Sequence, residues 1–321
     1  MNTIYPWLSE AWQGWQRQLA AQTFSNATLI NAPEGMGAEQ LVETFSHALM
    51  CTTNHSEPCG FCHGCDLIQS ATHPDLHWIR PEKQGKAITV EQVRAVNRLA
   101  QESSQLSGFR LIIITPAEAM NESAANALLK TLEEPAEKCI FVLLTHQINQ
   151  LLPTIISRCQ QLTIPAAPPS LVVDWLAHEC QEKVPSFAVH LNGNAPLLTR
   201  QFIVDGQLKE YQKLEQLFIA SLQGDIHASL ACAKLISSDA LPRLRWLWYV
   251  LTDAQKVVFK LEREYFTPGS DTVAQTVSLL LLQQQTESLV NLINQLQQFS
   301  GLNSELLITD WLFLFNEETC S

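Results

Sequence analysis

The chain has 321 residues, 46% of them hydrophobic and 16% charged, with a net charge of −12. That length supports two or three domains with cores of their own, and the acidic balance excludes nonspecific coating of nucleic acid, which needs an excess of Lys and Arg. Purely apolar runs, such as Leu279 to Leu282, are far too short to cross a bilayer.

The N-terminus, MNTIYPWLSEAWQGWQ, is polar and aromatic where a signal peptide needs a basic start and an apolar middle. A cytoplasmic location is expected, and there the nine cysteines suit ligand or buried apolar roles better than disulfides. Leu8, Trp12, Trp15 and Leu19 form one apolar stripe at helical spacing, so the tryptophans are expected in the core. Ala27 to Asn31 reads as a buried strand and Glu39 to Met50 as a helix, a βα pattern that implies a parallel sheet.

Between them lies APEGMG, Ala32 to Gly37, with Gly35 and Gly37 in the turn. This has the outline of a phosphate-binding loop. In the working loop G-x-x-x-x-G-K-[ST], backbone N–H groups cradle phosphates, Lys neutralises charge and the hydroxyl holds Mg²⁺. Here Ala32, Gly37, Ala38 and Glu39 stand in register. Ala38 offers no cation, and the Glu39 carboxylate repels what the loop would bind. An ordinary strand-to-helix turn is the other reading of the same residues.

Cys51, Cys59, Cys62 and Cys65 follow with the spacing C-x7-C-x2-C-x2-C, and Gly60 and Gly64 are expected to supply tight turns. Four thiolates suit a tetrahedral Zn²⁺ of structural type, since no adjacent base completes a hydrolytic site. His55 and His63 are spare donors, cobalt or iron are other occupants, and unmetallated thiols are the remaining reading, disfavoured because four exposed thiols would be reactive.

Thr89 and Gln92 make a capping box at the head of a helix bearing Arg94 and Arg98. Half of the 20 basic residues precede Pro165, and Arg80, Lys83, Lys86, Arg94, Arg98 and Arg110 fall close together. They read equally as a local nucleic-acid face or as a solvated helix surface. The strand Arg110 to Thr115 ends in Thr115 and Pro116, where a phosphate-loop ATPase needs Asp to hold Mg²⁺. A helix from Asn121 to Glu134, a strand from Ile140 to Thr145 and a strand-like run from Gln161 to Ile164 complete the pattern. Arg158, just before that last run, reads on its own as an ion-pair residue.

Pro165, Pro168 and Pro169 mark a linker, after which short amphipathic helices run to about Asp205, broken at Pro185 and at Gly193 to Pro196. From Gly206 the pattern is helical throughout, with long Leu- and Gln-rich segments such as Val273 to Phe299.

Together these stretches resemble the delta-prime subunits of the bacterial DNA polymerase III clamp loader, a family of the AAA+ group. The resemblance is carried by PWL at Pro6 to Leu8, APEGMG at Ala32 to Gly37, CGFCHGC at Cys59 to Cys65, THPD at Thr72 to Asp75, ANALLKTLEEP at Ala125 to Pro135 and SRC at Ser157 to Cys159. It implies an α/β plus all-α fold: an AAA+ type parallel-sheet P-loop domain over 1–165 with a zinc module inserted at 51–65, a small helical lid over 166–205, and a helical collar over 206–321.

The resemblance also implies a non-catalytic stator within a holoenzyme that has DNA-directed DNA polymerase activity, helping load the sliding clamp onto primed DNA during DNA replication. No ATP is expected in its own degenerate site. The missing Lys at Ala38 and missing Asp at Thr115 fit, as does Gly193-Asn194-Ala195-Pro196 in place of the family's Gly-Ser-x-Arg element. Arg158 is the family's SRC arginine, an arginine finger given in trans to a neighbouring gamma or tau subunit. Other implied partners are the delta subunit, primer-template DNA and, transiently, the sliding clamp. Zinc is implied for Cys51, Cys59, Cys62 and Cys65, and Arg94 and Arg98 are candidates for the DNA face. An active AAA+ ATPase and a zinc-containing nucleic-acid-binding module are the alternatives.

Overall fold

The structure, a computed structural model, describes residues 4–317 except 55, 84, 107, 181–183, 262, 263 and 300. It divides into two units, Met1–Ala167 and Pro168–Ser321. In the first, a 3-10 turn, Pro6–Leu8, runs into helix α1 (Ser9–Ala21), which buries Trp15 and Leu19. Trp12, expected in the core, is only half-buried because it falls at the margin of the apolar arc. Strand β1 (Ala27–Asn31) and helix α2 (Ala38–Leu49) follow, with a helix α3 (His63–Gln69) inside the Cys-rich stretch. Then come β2 (Leu76–Ile79), α4 (Val90–Gln101), β3 (Arg110–Ile114), α5 (Glu122–Glu133), β4 (Cys139–Thr145), α6 (Pro153–Ile156) and β5 (Gln160–Thr163).

The strands form one five-stranded sheet in the order β2-β3-β4-β1-β5, and every pairing is parallel. The runs richest in branched apolar residues occupy its middle, as burial on both faces demands. Every residue of β3 and β4 is buried, whereas the polar β5, with Gln160, Gln161 and Thr163, lies at an edge where such side chains meet water. Leu29, Ile112, Ile114, Phe141 and Leu143 pack with Val93, Val96 and Leu128 in one core cluster, which ties α4 and α5 to the sheet. The capping box is present: Gln92 N–H donates to Thr89 Oγ1 at 3.4 Å and Thr89 N–H to Gln92 Oε1 at 2.9 Å. Asn121 caps α5 by accepting from Ala124 N–H at 2.8 Å. The loop after β1 therefore opens at the carboxyl end of an inner strand, where open parallel sheets hold ligands.

The second unit is all helical: α7 (Pro169–Glu179), α8 (Ser186–Leu191), α9 (Pro196–Val204), α10 (Gln207–Leu222), α11 (Ile226–Ser237), α12 (Ala240–Val258), α13 (Ser270–Thr276), α14 (Leu279–Gln298) and α15 (Ser304–Glu317). The segment Val273 to Phe299 is not one helix. It breaks at Val277 and Ser278 because the Ser278 hydroxyl caps a new helix by accepting from Leu281 N–H at 3.3 Å. Asp253 of α12, wholly buried, accepts from His190 Nε2 of α8 at 2.9 Å and from Thr267 N–H at 3.0 Å, so a polar contact binds the short helices to the long ones. No helix among the described residues is long and apolar enough to cross a membrane.

Candidate functional site

The loop after β1 is held from three sides. Ala32 N–H extends the β1–β4 ladder to Thr145 O at 3.0 Å, and the Ala32 carbonyl accepts from His146 Nδ1 at 2.9 Å. Trp7 Nε1–H donates to Met36 O at 2.8 Å, which gives the PWL stretch its local task of closing over the loop. Gly35 and Gly37 have φ of 79° and 71°, a region that costs L-residues with a Cβ, so the turn needs both glycines. Ala38 then starts α2 with its methyl group buried.

Beside it Glu39 is engaged on both oxygens. Thr115 Oγ1–H donates to Oε1 at 3.3 Å, and Arg80 Nη2 lies 3.4 Å from Oε2. Arg80 is itself held, its guanidinium 4.6 Å from the centre of the Trp78 ring and its carbonyl accepting from Gln92 Nε2 at 2.9 Å. Where a working site places Mg²⁺ between a loop hydroxyl and a strand-end Asp, this chain joins a carboxylate to a hydroxyl and a guanidinium. The local field is negative enough to reach the next turn: burial, and then the Glu39 charge, push the Glu43 carboxyl up, with Arg80 opposing.

The cysteines converge. Cys51 lies just past the end of α2, the chain turns at Gly60 (φ 79°), Cys62 directly precedes α3 and Cys65 lies in its first turn. All four Sγ atoms lie within 4.8 Å of one another. Cys59 and Cys65 sulfurs are 4.0 Å apart and those of Cys51 and Cys62 3.8 Å apart. Sulfurs at the corners of a tetrahedron with metal bonds of about 2.3 Å stand roughly 3.8 Å apart, so the group could hold a metal ion. Backbone N–H groups of Asn54 and Cys59 point at Cys51 Sγ at 3.3 and 3.4 Å. Burial pushes the Cys65 thiol up to about 12. Burial acts the same way on Cys62, but hydrogen bonds from Thr52 and the backbone prevail and bring it down to about 5. Such a packed set ionises as a whole only with a cation at its centre.

Two expectations are corrected here. The thiols are not four exposed groups, because Cys51 and Cys65 are buried. Nor does Gly64 make a turn. It lies within α3, and a Cβ there would stand 2.2 Å from the Met50 carbonyl oxygen, so glycine is required by close approach. His63 stands outside the sulfur group, and His55 lies outside the described residues.

Arg158 lies two residues past the end of α6, and its side chain is 32% exposed. Its Nε–H donates to Glu133 Oε1 at 2.6 Å, its Nη2 contacts the same oxygen, and Nη1 donates to the Thr154 carbonyl at 2.8 Å. Glu133 ends α5. The ion pair that the lone arginine suggested therefore exists, with a partner that only the packing of α5 against α6 could name.

Arg94 and Arg98 stand one turn apart on the exposed side of α4, opposite the buried Val93, Val96 and Ala100. Arg110, grouped with them in the basic interval, does not belong to that face. It is 2% exposed and paired with Asp75 at 3.0 Å, having been drawn inward as the first residue of β3. Pro196 is the buried first residue of α9 in the second unit.

A five-stranded parallel sheet with a glycine turn after an inner strand, continued by an all-helical unit, places the chain in the class of parallel-sheet α/β proteins with helical extensions. Residues 7–168 match the family model described as DNA polymerase III, delta subunit, and residues 205–317 match that described as DNA polymerase III, delta subunit, C terminal. DNA polymerase III subunit delta-prime of Escherichia coli K12 is 32% identical over 315 residues, covering 96% of this chain and 94% of its own. That of Haemophilus influenzae is 30% identical over 326 residues, covering 97% of each. That of Pseudomonas aeruginosa is 37% identical over 250 residues, covering 76% and 74%. The chain belongs to the delta-prime family of DNA polymerase III subunits.

Proposed function

We propose that this chain is the stator of a clamp loader, a subunit with no ATPase activity of its own that helps place the sliding clamp on primed DNA during DNA replication. The observation that carries this reading is the closure of Glu39 onto Thr115 and Arg80 beside a loop whose cation position is Ala38. A triphosphate brought to this loop meets the Ala38 methyl group in place of an ammonium group and the Glu39 carboxylate in place of a hydroxyl, and Mg²⁺ meets Thr115 in place of a strand-end Asp. The nucleotidyltransferase chemistry belongs to the holoenzyme.

Arg158 acts as an arginine finger toward the ATP site of a neighbouring gamma or tau subunit. Its guanidinium is planar, permanently charged and partly exposed, which suits charge that develops on a phosphate. Cys51, Cys59, Cys62 and Cys65 would hold Zn²⁺ in a closed structural site, where the ion supplies a cross-link and no chemistry. Residues 166–205 act as a lid and 206–321 as a collar that meets the gamma or tau and delta subunits. Arg94 and Arg98 face primer-template DNA, and contact with the sliding clamp is transient. All of this belongs in the cytoplasm.

The test is DNA-stimulated ATP hydrolysis by a loader assembled from gamma, delta and this chain, comparing wild type with Arg158→Ala. A normally assembled loader whose turnover falls roughly tenfold or more supports the finger. Unchanged turnover would leave this chain as a scaffold only.

A further inference from the structure

An arginine has five N–H bonds in a rigid plane and can offer them along two edges. In this chain the edge made by Nε and Nη2 is taken by one carboxylate oxygen of Glu133, and Nη1 donates backward to the Thr154 carbonyl at 2.8 Å. The Ser157 hydroxyl, 3.5 Å from Nη1, is the loosest of these contacts. Each Nη nitrogen carries two N–H bonds, and the edge they share, on a side chain 32% exposed, is the one not taken by Glu133 and available to an incoming anion. Glu133 and Thr154 come from different elements, α5 and α6, so the guanidinium is braced at two points that belong to the same folded core as the sheet.

From this geometry we infer that Glu133 is the positioning residue of Arg158, holding its side edge so that its end edge faces the neighbouring nucleotide. The inference rests on the finger reading above and deepens it. Without the brace, the three-methylene stem of Arg158 would sample many rotamers and lose that freedom each time it engaged a phosphate. With it, the charge waits in place, which lowers the reorganisation needed at the moment of reaction. Glu133 does not touch the reacting atoms and acts through Arg158 alone.

The experiment uses the assembled loader with wild type, Glu133→Ala, Glu133→Gln, Arg158→Ala and the double variant Glu133→Ala/Arg158→Ala. Turnover and KM for ATP are measured in DNA-stimulated hydrolysis, with assembly followed by sedimentation velocity and folding by the melting temperature of the free chain. Expected are a roughly tenfold loss of turnover for Glu133→Ala with KM little changed, a smaller loss for the isosteric Glu133→Gln, and a double variant no slower than Arg158→Ala. Three results would overturn the inference: a Glu133→Ala loss that multiplies the Arg158→Ala loss, Glu133 variants with wild-type turnover, or a gain in turnover that makes Glu133 a restraint. If Arg158→Ala itself turns over normally, the finger reading falls and this inference falls with it. If only the Glu133 variants are normal, the finger stands unbraced.

Discussion

Arg110 and Asp75 form a buried ion pair, Nη2 to Oδ1 at 3.0 Å, with side chains only 2% and 1% exposed. Arg110 Nη1 reaches the carbonyls of Leu99 and Glu102 and Nη2 that of Ser103, at and just past the end of α4, while the buried Nε has no partner; Asp75 also accepts from Gln105 and Leu106 N–H at 2.9 and 3.0 Å. One guanidinium thus joins the start of β3, the lead-in to β2 and the electronegative end of α4.

Breaking that pair from one side leaves a buried charge without its counterion. Asp75→Asn should therefore lower the unfolding free energy by about 3–5 kcal/mol, read from urea unfolding at neutral pH. Burial alone would raise the Asp75 carboxyl, but the two backbone N–H groups and Arg110 hold it below the usual carboxylate range. A depressed folded value means that its contribution is complete above the unfolded value of about 3.9 and is lost as pH falls through the folded one. The gap between wild type and Asp75→Asn should stay constant from neutrality to mild acid and narrow in stronger acid. A gap independent of pH would contradict this.

The closure around Glu39 makes a prediction about nucleotide. The free chain should leave Mg²⁺-ATP unbound up to roughly millimolar concentration in equilibrium dialysis. Ala38→Lys combined with Glu39→Thr and Thr115→Asp should gain Mg²⁺-dependent binding, because the loop and its two glycines already have the required turn. Tight binding by wild type would mean that another cation serves in place of the missing Lys.

Elemental analysis of chain purified without chelator should find one zinc per molecule, held by the sulfur group. Removing it, or substituting Cys62→Ser, should lower the melting temperature of the first unit. Acid should release the ion as the thiolates protonate. A metal-free chain that melts at the same temperature as the purified one would refute a structural metal.

If Arg94 and Arg98 face DNA, changing both to alanine should weaken binding of primed DNA by the assembled loader equally for all sequences. The slope of log affinity against log salt should shrink by about two. Arg110→Met should act differently, through folding, since that side chain is sealed inside. An unaltered slope would return Arg94 and Arg98 to a solvated helix surface.

Much of the first unit was legible because its signals are local. The apolar runs of β1, β3 and β4 and the Thr89 capping box need only their own residues to be recognised. β2 was not, since LHWI is short and half-buried along its whole length, and its strand character comes from pairing with β3. The chemistry of Arg158 pointed to an ion pair, but Glu133 lies 25 residues away and is brought close only by folding. Arg110 was misplaced for the same reason: charge in a sequence carries no address until its partner, here Asp75, is packed against it.

Gly64 shows how little material can decide a dimension. With no methyl group there, α3 settles against the Met50 carbonyl, and Cys65 and Cys51, each one residue further along, are set at a separation governed by backbone against backbone. Such a cage has a stiff frame and cannot stretch easily. It should reject ions that need longer bonds to sulfur, and Gly64→Ala, by prising the frame open, should speed zinc loss to a competing chelator without touching any ligand. Unchanged release would show that the frame yields. Faster release would place size selection at the metal in Gly64, a residue with no side chain.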